Sequence, residues 1–316
     1  GNPVIVKAPA SAPLATAVFV SAIAAQLPPG VLNVVSGQDD TLAPLIADPR
    51  IGKVCFTGSV GGGKEIARIA ASAVTPVTLE LGGNDAAIIF DDAQLDTVSL
   101  DRLFSSIFDT SGQICMNAKR IYVHESRKDE LLAGLRERIA AVKLGHGLDE
   151  GVTHGPLHTA RQAEWVNALI SEARDAGATV EQFGELPDGE LVDGHFVLPT
   201  LVIDPDPSLR IVTEEQFGPV VPIMTFATEA EAVEAANDTW AGLGASVWTE
   251  DPARATRVAE QLDAGYVWIN DHGAPRLDLR APFGGTKFSG YGREQGIEGV
   301  LEFTQTRAVS RRVGDR

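Results

Sequence analysis

The sequence predicts an α/β fold in which a parallel sheet is covered by helices on both faces. Two observations lead to this prediction. Short apolar, β-branched segments alternate with helical segments along residues 1–90. The strand-like segments are also nearly continuous in their apolar residues, as strands buried on both faces are. Such an alternation is typical of a doubly wound architecture, or of part of one.

The first part of the chain, up to the double glycine at 82–83, alternates strictly. Strands are predicted over 3–9, 30–37, 51–58 and 76–83, and helices over 14–27, 40–49 and 63–73. From Asn84 onward a second α/β domain follows. Its predicted strands are 85–93, 119–127, 196–205, 220–227 and 244–251, and its helices 128–145, 159–178, 229–239 and 253–265. We find no repeat of 20–50 residues and no low-complexity linker.

Composition excludes several classes of protein. The net charge is −17, from 26 basic and 43 acidic residues, and a surface that binds nucleic acid needs clustered Lys and Arg. No apolar run of about 18 residues predicts a membrane span. Cys55 and Cys115 are the two cysteines, too few for a disulfide framework, which favours a reducing cytoplasm.

The start of the chain is unusual. Gly1 replaces an initiator Met, and a predicted strand follows at once. Because a domain rarely starts inside its own sheet, we expect upstream sequence.

A glycine-rich stretch at 56–65 resembles a phosphate-binding loop. Gly58 to Lys64 fit the pattern of P-loop NTPases, but Glu65 stands where a hydroxyl should hold Mg²⁺. The stretch could be a damaged NTPase loop, a linker or a loop for a different phosphate. It follows a predicted strand and opens a helix, and backbone N–H groups at a helix N-terminus favour an anion.

Two residues could carry chemistry. Cys115 lies in a small polar stretch before a strand, where backbone N–H groups can stabilise a thiolate or an oxyanion; burial as a small hydrophobe is an equal alternative. Glu80 ends an apolar strand, where it could be a general base or could face solvent. Cys55 fits a buried strand position better than a reactive one.

Taken together, these residues belong to an ordered set of motifs. LELGG, GQ-x-C, EEQFGP and PFGGTKFSGYGRE follow one another along the chain, which therefore resembles the aldehyde dehydrogenase superfamily. The resemblance implies a partial, parallel Rossmann-like dinucleotide-binding domain at 1–82 and an α/β catalytic domain at 83–290. It places a C-terminal helix and an oligomerisation strand at 291–316.

The resemblance also implies the reaction. Cys115 would attack an aldehyde to give a thiohemiacetal, and hydride transfer to the nicotinamide would leave a thioester. Glu80 would activate the water that hydrolyses it. Because this carboxylate is absent from branches that use coenzyme A, its presence favours a free acid as product. The alternative is a non-catalytic fragment, or a binding or structural relative that keeps the fold.

The implied cofactor is NAD or NADP. Gly58 and Ser59 would lie at the pyrophosphate, Lys7 at the adenosine ribose or a 2′-phosphate, and Glu215 and Phe217 at the nicotinamide ribose and ring. Leu81, next to Glu80, is included in the predicted cofactor site. Many relatives that use NAD carry a Glu at the position of Ala10, which predicts that NADP is tolerated. The resemblance implies no metal.

The implied substrate is a small aldehyde. Phe283 would line the substrate funnel, although packing is an alternative role, and Asn270 would support the nucleophile loop beside it. Arg276 and Arg280 could attract an acidic aldehyde or could be solvated surface.

The resemblance finally predicts what the chain lacks. No residue can be assigned to the Asn that donates to the oxyanion, so we expect the 316-residue chain to be inactive or poorly folded. Loss of the opening strands predicts an unpaired sheet edge. The tail 304–313 is predicted to be an edge strand that pairs across subunits of a homodimer or homotetramer.

Overall fold

The computed structural model describes residues 1–38 and 42–312. The strands are β1 (Val4–Ala8), β2 (Leu32–Ser36), β3 (Val54–Thr57), β4 (Val77–Glu80), β5 (Asp85–Ile89), β6 (Ala118–His124), β7 (Thr179–Gln182), β8 (Thr200–Ile203), β9 (Val220–Phe226), β10 (Ala241–Gly242), β11 (Gly244–Trp248), β12 (Tyr266–Ile269), β13 (Thr286–Lys287) and β14 (Gly290–Tyr291). The helices are α1 (Pro13–Ala24), α2 (Ala43–Ile46), α3 (Val60–Ala71), α4 (Thr97–Phe108), α5 (Lys128–Ile139), α6 (Ala160–Asp175), α7 (Arg210–Thr213), α8 (Glu229–Asn237), α9 (Pro252–Ala259) and α10 (Gly296–Leu301).

A seven-stranded sheet forms the centre of the larger unit. Its strands lie in the order β12-β11-β5-β6-β9-β8-β7, and all neighbours are parallel except β7 and β8. Residues of one buried cluster come from one sheet face and from α6, α8 and α9. A second cluster joins the other face to α4 and α5. The predicted sheet with helices on both faces is confirmed here, with β7 as an added antiparallel edge.

The first part of the chain forms two smaller sheets. β1 and β2 are a parallel pair, while β3 and β4 are parallel and β14 joins β4 in the antiparallel direction. No ladder joins these two sheets among the strands that the structure describes. Helices do not cover them evenly: Leu14, Val18 and Phe19 of α1 are exposed. Such apolar side chains would ordinarily be buried.

The prediction that Cys55 is buried is wrong. The side chain is exposed because β3 is the outer strand of its sheet, and its residues alternate between exposed and half-buried. An apolar run on an edge strand therefore resembled a strand buried on both faces.

The structure resolves several local predictions. The predicted helix at 40–49 corresponds to α2, with Asp40 and Thr41 outside the described residues. The C-terminal helix is α10. Within 302–312 the single chain forms no strand, and Val313 lies outside the described residues, so pairing of this tail stays a prediction.

None of the described helices is long and apolar enough to cross a membrane.

Candidate active site

Glu80 is the last residue of β4 and is buried, with 3% of its surface exposed. β14 pairs with it on one side through Gly290, and β3 pairs on the other through Thr57. Both carboxylate oxygens lack a hydrogen-bond partner among the described residues. Burial, together with the charge of Glu294, raises the pKa of Glu80 to about 8 against the opposing charge of Arg293. Glu80 is thus poised to take up a proton near neutral pH.

The chain turns sharply before Cys115. Beyond α4, Thr110 and Ser111 have left-handed backbone with φ of 56° and 55°, and Gly112 continues with φ of 72°. Glycine is required at the third position, because a Cβ there would overlap the carbonyl oxygen of Gly218. Strained turns of this kind are held in place by their surroundings.

Hydrogen bonds hold this nucleophile loop, residues 109–117, against the rest of the fold. The Asn117 side chain donates to the carbonyl of Ile107 at 3.2 Å, and the Ser111 hydroxyl donates to that of Gly155 at 2.8 Å. These contacts connect the loop to α4 and to the segment around Gly155.

The thiol of Cys115 is partly buried. Burial raises its pKa to about 11, together with the charges of Asp85 and Glu215 and against the charge of Lys119 and the N–H of Met116, which lower it. The protein surroundings alone therefore favour the protonated thiol at neutral pH. A thiolate requires that a ligand or a base change this balance.

Lys119 joins the nucleophile loop to Glu215. Its ammonium donates to the carbonyls of Ile114 at 2.9 Å and Cys115 at 2.5 Å, and it lies 3.4 Å from Oε1 of Glu215. The same Oε1 accepts from the N–H of Gly83 at 3.1 Å. The predicted cofactor residue Glu215 is thereby brought to the nucleophile loop. Lys119 itself was missed, because one Lys at the start of a strand gives no sequence pattern.

A buried polar cluster lies behind this loop and was also missed. His272 and Asp85 approach to 3.8 Å, and Nδ1 of His272 is 2.8 Å from the Ser246 hydroxyl. Burial lowers the pKa of His272 to about 3 and raises that of Asp85 to about 7, where Lys119 opposes the rise. The imidazole is therefore neutral near neutral pH and serves there as a hydrogen-bonding group.

The glycine-rich stretch forms the N-terminus of α3. Ser59 caps this helix, and its hydroxyl accepts from the N–H of Gly62 at 3.1 Å. The N–H groups of Val60 and Gly61 remain directed at the open end of the helix, and a Cβ on Gly61 would meet nothing within 4 Å. This end fits a phosphate group, since it offers unpaired donors, a positive dipole end and space.

Gly58 and Leu81, the other two predicted cofactor residues near α3, lie at the end of β4. Gly58 donates its N–H to the carbonyl of Glu80 at 3.0 Å. Leu81 is buried against α3, where a Cβ on Gly63 would be 2.5 Å from it. Leu81 thus sets how closely the helix approaches β4.

Lys7 lies half-buried near the end of β1, and Ala10 is exposed just beyond it. The adjacent Ser11 hydroxyl is 2.7 Å from Nε2 of His158. The backbone N–H of His158 donates to the side-chain oxygen of Gln113 at 2.8 Å. The segment after β1 is therefore connected to the nucleophile loop.

The other predicted site residues have varied surroundings. Phe217 has left-handed backbone (φ 49°) and is half-buried. Phe283 is 4% exposed, with its ring 6.1 Å from that of Tyr266. The carboxamide of Asn270 exchanges two hydrogen bonds of 2.9 Å with the backbone of Thr249. Asn270 therefore ties the end of β12 to the end of β11, and its support of the nucleophile loop stays a prediction.

Arg276 and Arg280 are both paired within their own loop. Arg276 lies 3.2 Å from Asp271, and the guanidinium of Arg280 binds Asp278 through two nitrogens at 2.9 and 2.7 Å. Their charges are thus partly compensated.

The comparisons with known proteins agree with this fold. The sequence profile of the aldehyde dehydrogenase family matches residues 1–309. Betaine aldehyde dehydrogenase of Cereibacter sphaeroides strain KD131 is 42% identical over 287 residues, which cover 91% of this chain and 58% of that protein.

Two solved structures are similarly close. An aldehyde dehydrogenase of Mycobacterium tuberculosis, complexed with NAD+, superimposes with a TM-score of 0.89 at 38% identity, covering 96% of this chain and 62% of that one. An E. coli NADP-dependent enzyme superimposes with a TM-score of 0.89 at 36% identity, covering 95% and 62%. The chain belongs to the aldehyde dehydrogenase family. It spans about three fifths of the length of these relatives.

Proposed function

We propose that this protein oxidises an aldehyde to a carboxylic acid, with NAD+ or NADP+ as the electron acceptor. One observation carries the proposal: Cys115, Glu80 and Glu215 meet at the short segment Gly82–Gly83. Glu80 precedes it, and a Cβ on Gly83 would lie 2.5 Å from the carbonyl oxygen of Cys115. Glu215 accepts from the N–H of Gly83. The chain segments that carry a nucleophile and a base, and a carboxylate for ribose hydroxyls, thus converge on Gly82–Gly83, which supports the proposal.

The protein groups divide the chemistry as follows. Sγ of Cys115, once deprotonated, forms a bond to the carbonyl carbon and so holds the substrate in place. After oxidation the acyl group stays on Cys115 as a thioester. Glu80 takes a proton from a water molecule, whose oxygen attacks the thioester, and Cys115 leaves as the thiolate. With a pKa of about 8, Glu80 can both accept and release this proton near neutral pH.

The groups already described would hold the cofactor. The N-terminus of α3, with Gly58 and Ser59, would bind the pyrophosphate, and Lys7 would bind the adenosine end. Leu81 supports α3 at this site by packing, and Glu215 and Phe217 would contact the nicotinamide ribose and ring. When bound, NAD(P)+ supplies the two-electron acceptor for the oxidation.

Both cofactors are accepted in this proposal. Ala10 removes the carboxylate that would repel a 2′-phosphate, and Lys7 is a cation at the same strand end.

The substrate class is proposed only as a small aldehyde. Arg276 and Arg280 are each engaged by an Asp, so we do not propose a preference for acidic aldehydes. The relative from Cereibacter sphaeroides is a betaine aldehyde dehydrogenase, which makes an aldehyde with a quaternary ammonium group the first to test. Amino-aldehydes, an acidic semialdehyde and uncharged aldehydes complete the panel.

A homodimer or homotetramer is also proposed. Ile297, Val300 and Leu301 of α10 are exposed beside the tail that is predicted to pair across subunits. Size-exclusion chromatography with light scattering tests this, and a monomer at micromolar concentration would contradict it.

The function is tested by measuring reduced cofactor with each aldehyde. The 316-residue chain and any longer product of the same gene are assayed side by side, each with Cys115→Ala as control. Turnover that Cys115→Ala abolishes supports the proposal. Binding of cofactor without turnover on any aldehyde, by either form, favours the non-catalytic alternative.

A further inference from the structure

Lys119 is a buried cation to which the proposed chemistry assigns no role. Only 3% of its side chain is exposed, near the start of β6. An ammonium has three donors. Here they meet the carbonyls of Ile114 and Cys115 and the carboxylate of Glu215. Burying such a charge costs free energy unless its donors have partners. The fold supplies these partners to the Lys119 ammonium.

The carboxylate of Glu215, which pairs with Lys119, is partly exposed and therefore accessible to a ligand. Its side chain is 20% exposed, while Oε1 faces Lys119 and the N–H of Gly83. Oε2 lies over Gly82, where a Cβ would overlap it. A carboxylate held on one side and open on the other accepts hydrogen bonds from a vicinal diol, such as that of a ribose.

The backbone around Glu215 is held by hydrogen bonds that do not involve Lys119. The Trp165 indole donates to its carbonyl at 3.2 Å, and the Gln162 side chain donates to the next carbonyl, that of Gln216, at 2.8 Å. A ligand that binds Glu215 therefore acts on its carboxylate more than on its backbone. The charged partner of this carboxylate is Lys119, 3.4 Å from Oε1.

We propose that Lys119 is a positioning residue that transmits occupancy of the Glu215 carboxylate by a diol ligand to the backbone and thiol of Cys115. The inference rests on the proposed function, because it takes the ribose of the nicotinamide as the diol. Lys119 touches neither substrate nor cofactor in this account. It acts through the two carbonyls that it holds and through its charge.

The charges around the thiol give the direction of the effect. Lys119 favours the thiolate, whereas Asp85 and Glu215 disfavour it, and the N–H of Met116 favours it. His272, which packs on Asp85, is neutral. Hydrogen bonds from a diol to Glu215 spread its negative charge into the ligand, so more of the positive potential of Lys119 remains at Cys115. Bound diol should therefore make the thiol more reactive.

The test measures alkylation of Cys115 by iodoacetamide in a Cys55→Ser background. Rates are followed by peptide mass spectrometry across pH 6 to 9.5, without ligand, with NAD+ and with ADP-ribose. ADP-ribose carries the diol but no charged nicotinamide ring, so it separates the two effects. We expect both ligands to raise the rate at pH 7.5 by about 5- to 50-fold, the range of an ordinary coupling.

Three variants locate the effect. In Lys119→Met the ligand response should fall below about 2-fold, and the pH profile of alkylation should move to higher pH. Lys119→Arg should restore the pH profile, because it restores the charge. Glu215→Gln, which leaves the buried ammonium in place, should also lose the response to ADP-ribose. Lys128→Met, which removes a surface ion pair with Asp204, is the matched control and should behave as the parent.

Separate measurements keep the outcomes distinct. Ligand binding is measured by calorimetry and folding by circular dichroism for every variant. A full response to ADP-ribose in folded Lys119→Met overturns the inference, and so does a parent protein that turns over aldehyde with no change in thiol reactivity. A parent protein that binds neither ligand and oxidises no aldehyde contradicts the proposed function itself.

Discussion

The backbone of Gly83 lies directly against the carbonyl oxygen of Cys115. A Cβ on Gly83 would be 2.5 Å from that oxygen and 2.7 Å from Oδ1 of Asp85. The end of β4, which carries the proposed base, and the loop that carries the proposed nucleophile are thus in contact through main-chain atoms. The proposed reaction depends on this contact because it sets the position of the thiol relative to Glu80.

Gly83→Ala should therefore displace the nucleophile loop. The nearest neighbour of the added methyl group is the backbone carbonyl oxygen of Cys115, which can move only with its loop. We expect kcat/KM for the best aldehyde to fall by at least about 10-fold, since small misplacements of reacting groups have large effects. Gly147→Ala is the control, because a Cβ there meets nothing within 4 Å. Equal activity of the two variants would contradict the described contact.

The pKa of Glu80 predicts a pH dependence of turnover. Only the ionised carboxylate can take a proton from water, and this form predominates above about pH 8. Where hydrolysis limits the rate, kcat should rise with pH and level off above about 8. Glu80→Gln should be slow at every pH in that range and should accumulate acylated protein. A kcat that is flat from pH 6 to 9 in the parent would refute this role.

The raised pKa of Glu80 also predicts that the folded protein loses stability as pH rises, whereas kcat rises with pH. The folded protein binds the Glu80 proton more tightly than the unfolded chain does, because the pKa rises from 4.5 to about 8 on folding. This stabilisation is complete below pH 4.5 and is lost as pH rises through 8. Urea unfolding should show that Glu80→Gln reduces the fall in stability between pH 5 and 8.5. An unchanged slope would place Glu80 in a more polar environment than the structure gives it.

Arg120 is expected to be critical for folding. This buried guanidinium donates to the carbonyls of Asn84, Ala235 and Ala236, at 2.8–2.9 Å. Arg120→Met would remove this donor from the buried carbonyls of Asn84 and Ala236, at about 1–3 kcal/mol each before relaxation. The carbonyl of Ala235 keeps a hydrogen bond from the Tyr122 hydroxyl at 3.1 Å. We expect a loss of at least about 3 kcal/mol in urea unfolding. Arg50→Met, at a side chain that is 88% exposed, should change stability by less than about 0.5 kcal/mol.

Ala10→Glu should shift the cofactor preference. A carboxylate at this exposed position would repel the 2′-phosphate of NADP+ and accept hydrogen bonds from the ribose of NAD+. We expect the ratio of kcat/KM for NADP+ over NAD+ to fall by roughly 10-fold, which corresponds to about 1.4 kcal/mol. Ala10→Gln, similar in size but uncharged, should fall less. A parent protein with a strong preference for NAD+ would contradict the expected tolerance of NADP+.

The sequence predicted the parts of the fold that depend on repeated patterns. Five strands of the central sheet are long apolar runs, and the capped N-terminus of α3 follows from its glycines and Ser59. The strand β3 was predicted but the exposure of Cys55 was not, because the sequence pattern does not show that one face of β3 lacks a covering layer. β7 has too few apolar residues to be distinguished from a loop.

The buried charges of the site were less predictable. Lys119, Asp85 and His272 are single residues in separate elements, and only the fold brings them together. Cys115 and Glu80 were found because motifs surround them. Their pKa shifts arise from burial, which a sequence motif does not report.

The central claim is that an acyl group is carried by Cys115 and released with the help of Glu80. It is tested most directly by mixing Glu80→Gln with an oxidisable aldehyde and NAD(P)+, then digesting the quenched protein for mass spectrometry. The account predicts an acyl adduct on the Cys115 peptide that disappears with Cys115→Ala and without cofactor. Oxidation of the aldehyde by Cys115→Ala at the parent rate would contradict it.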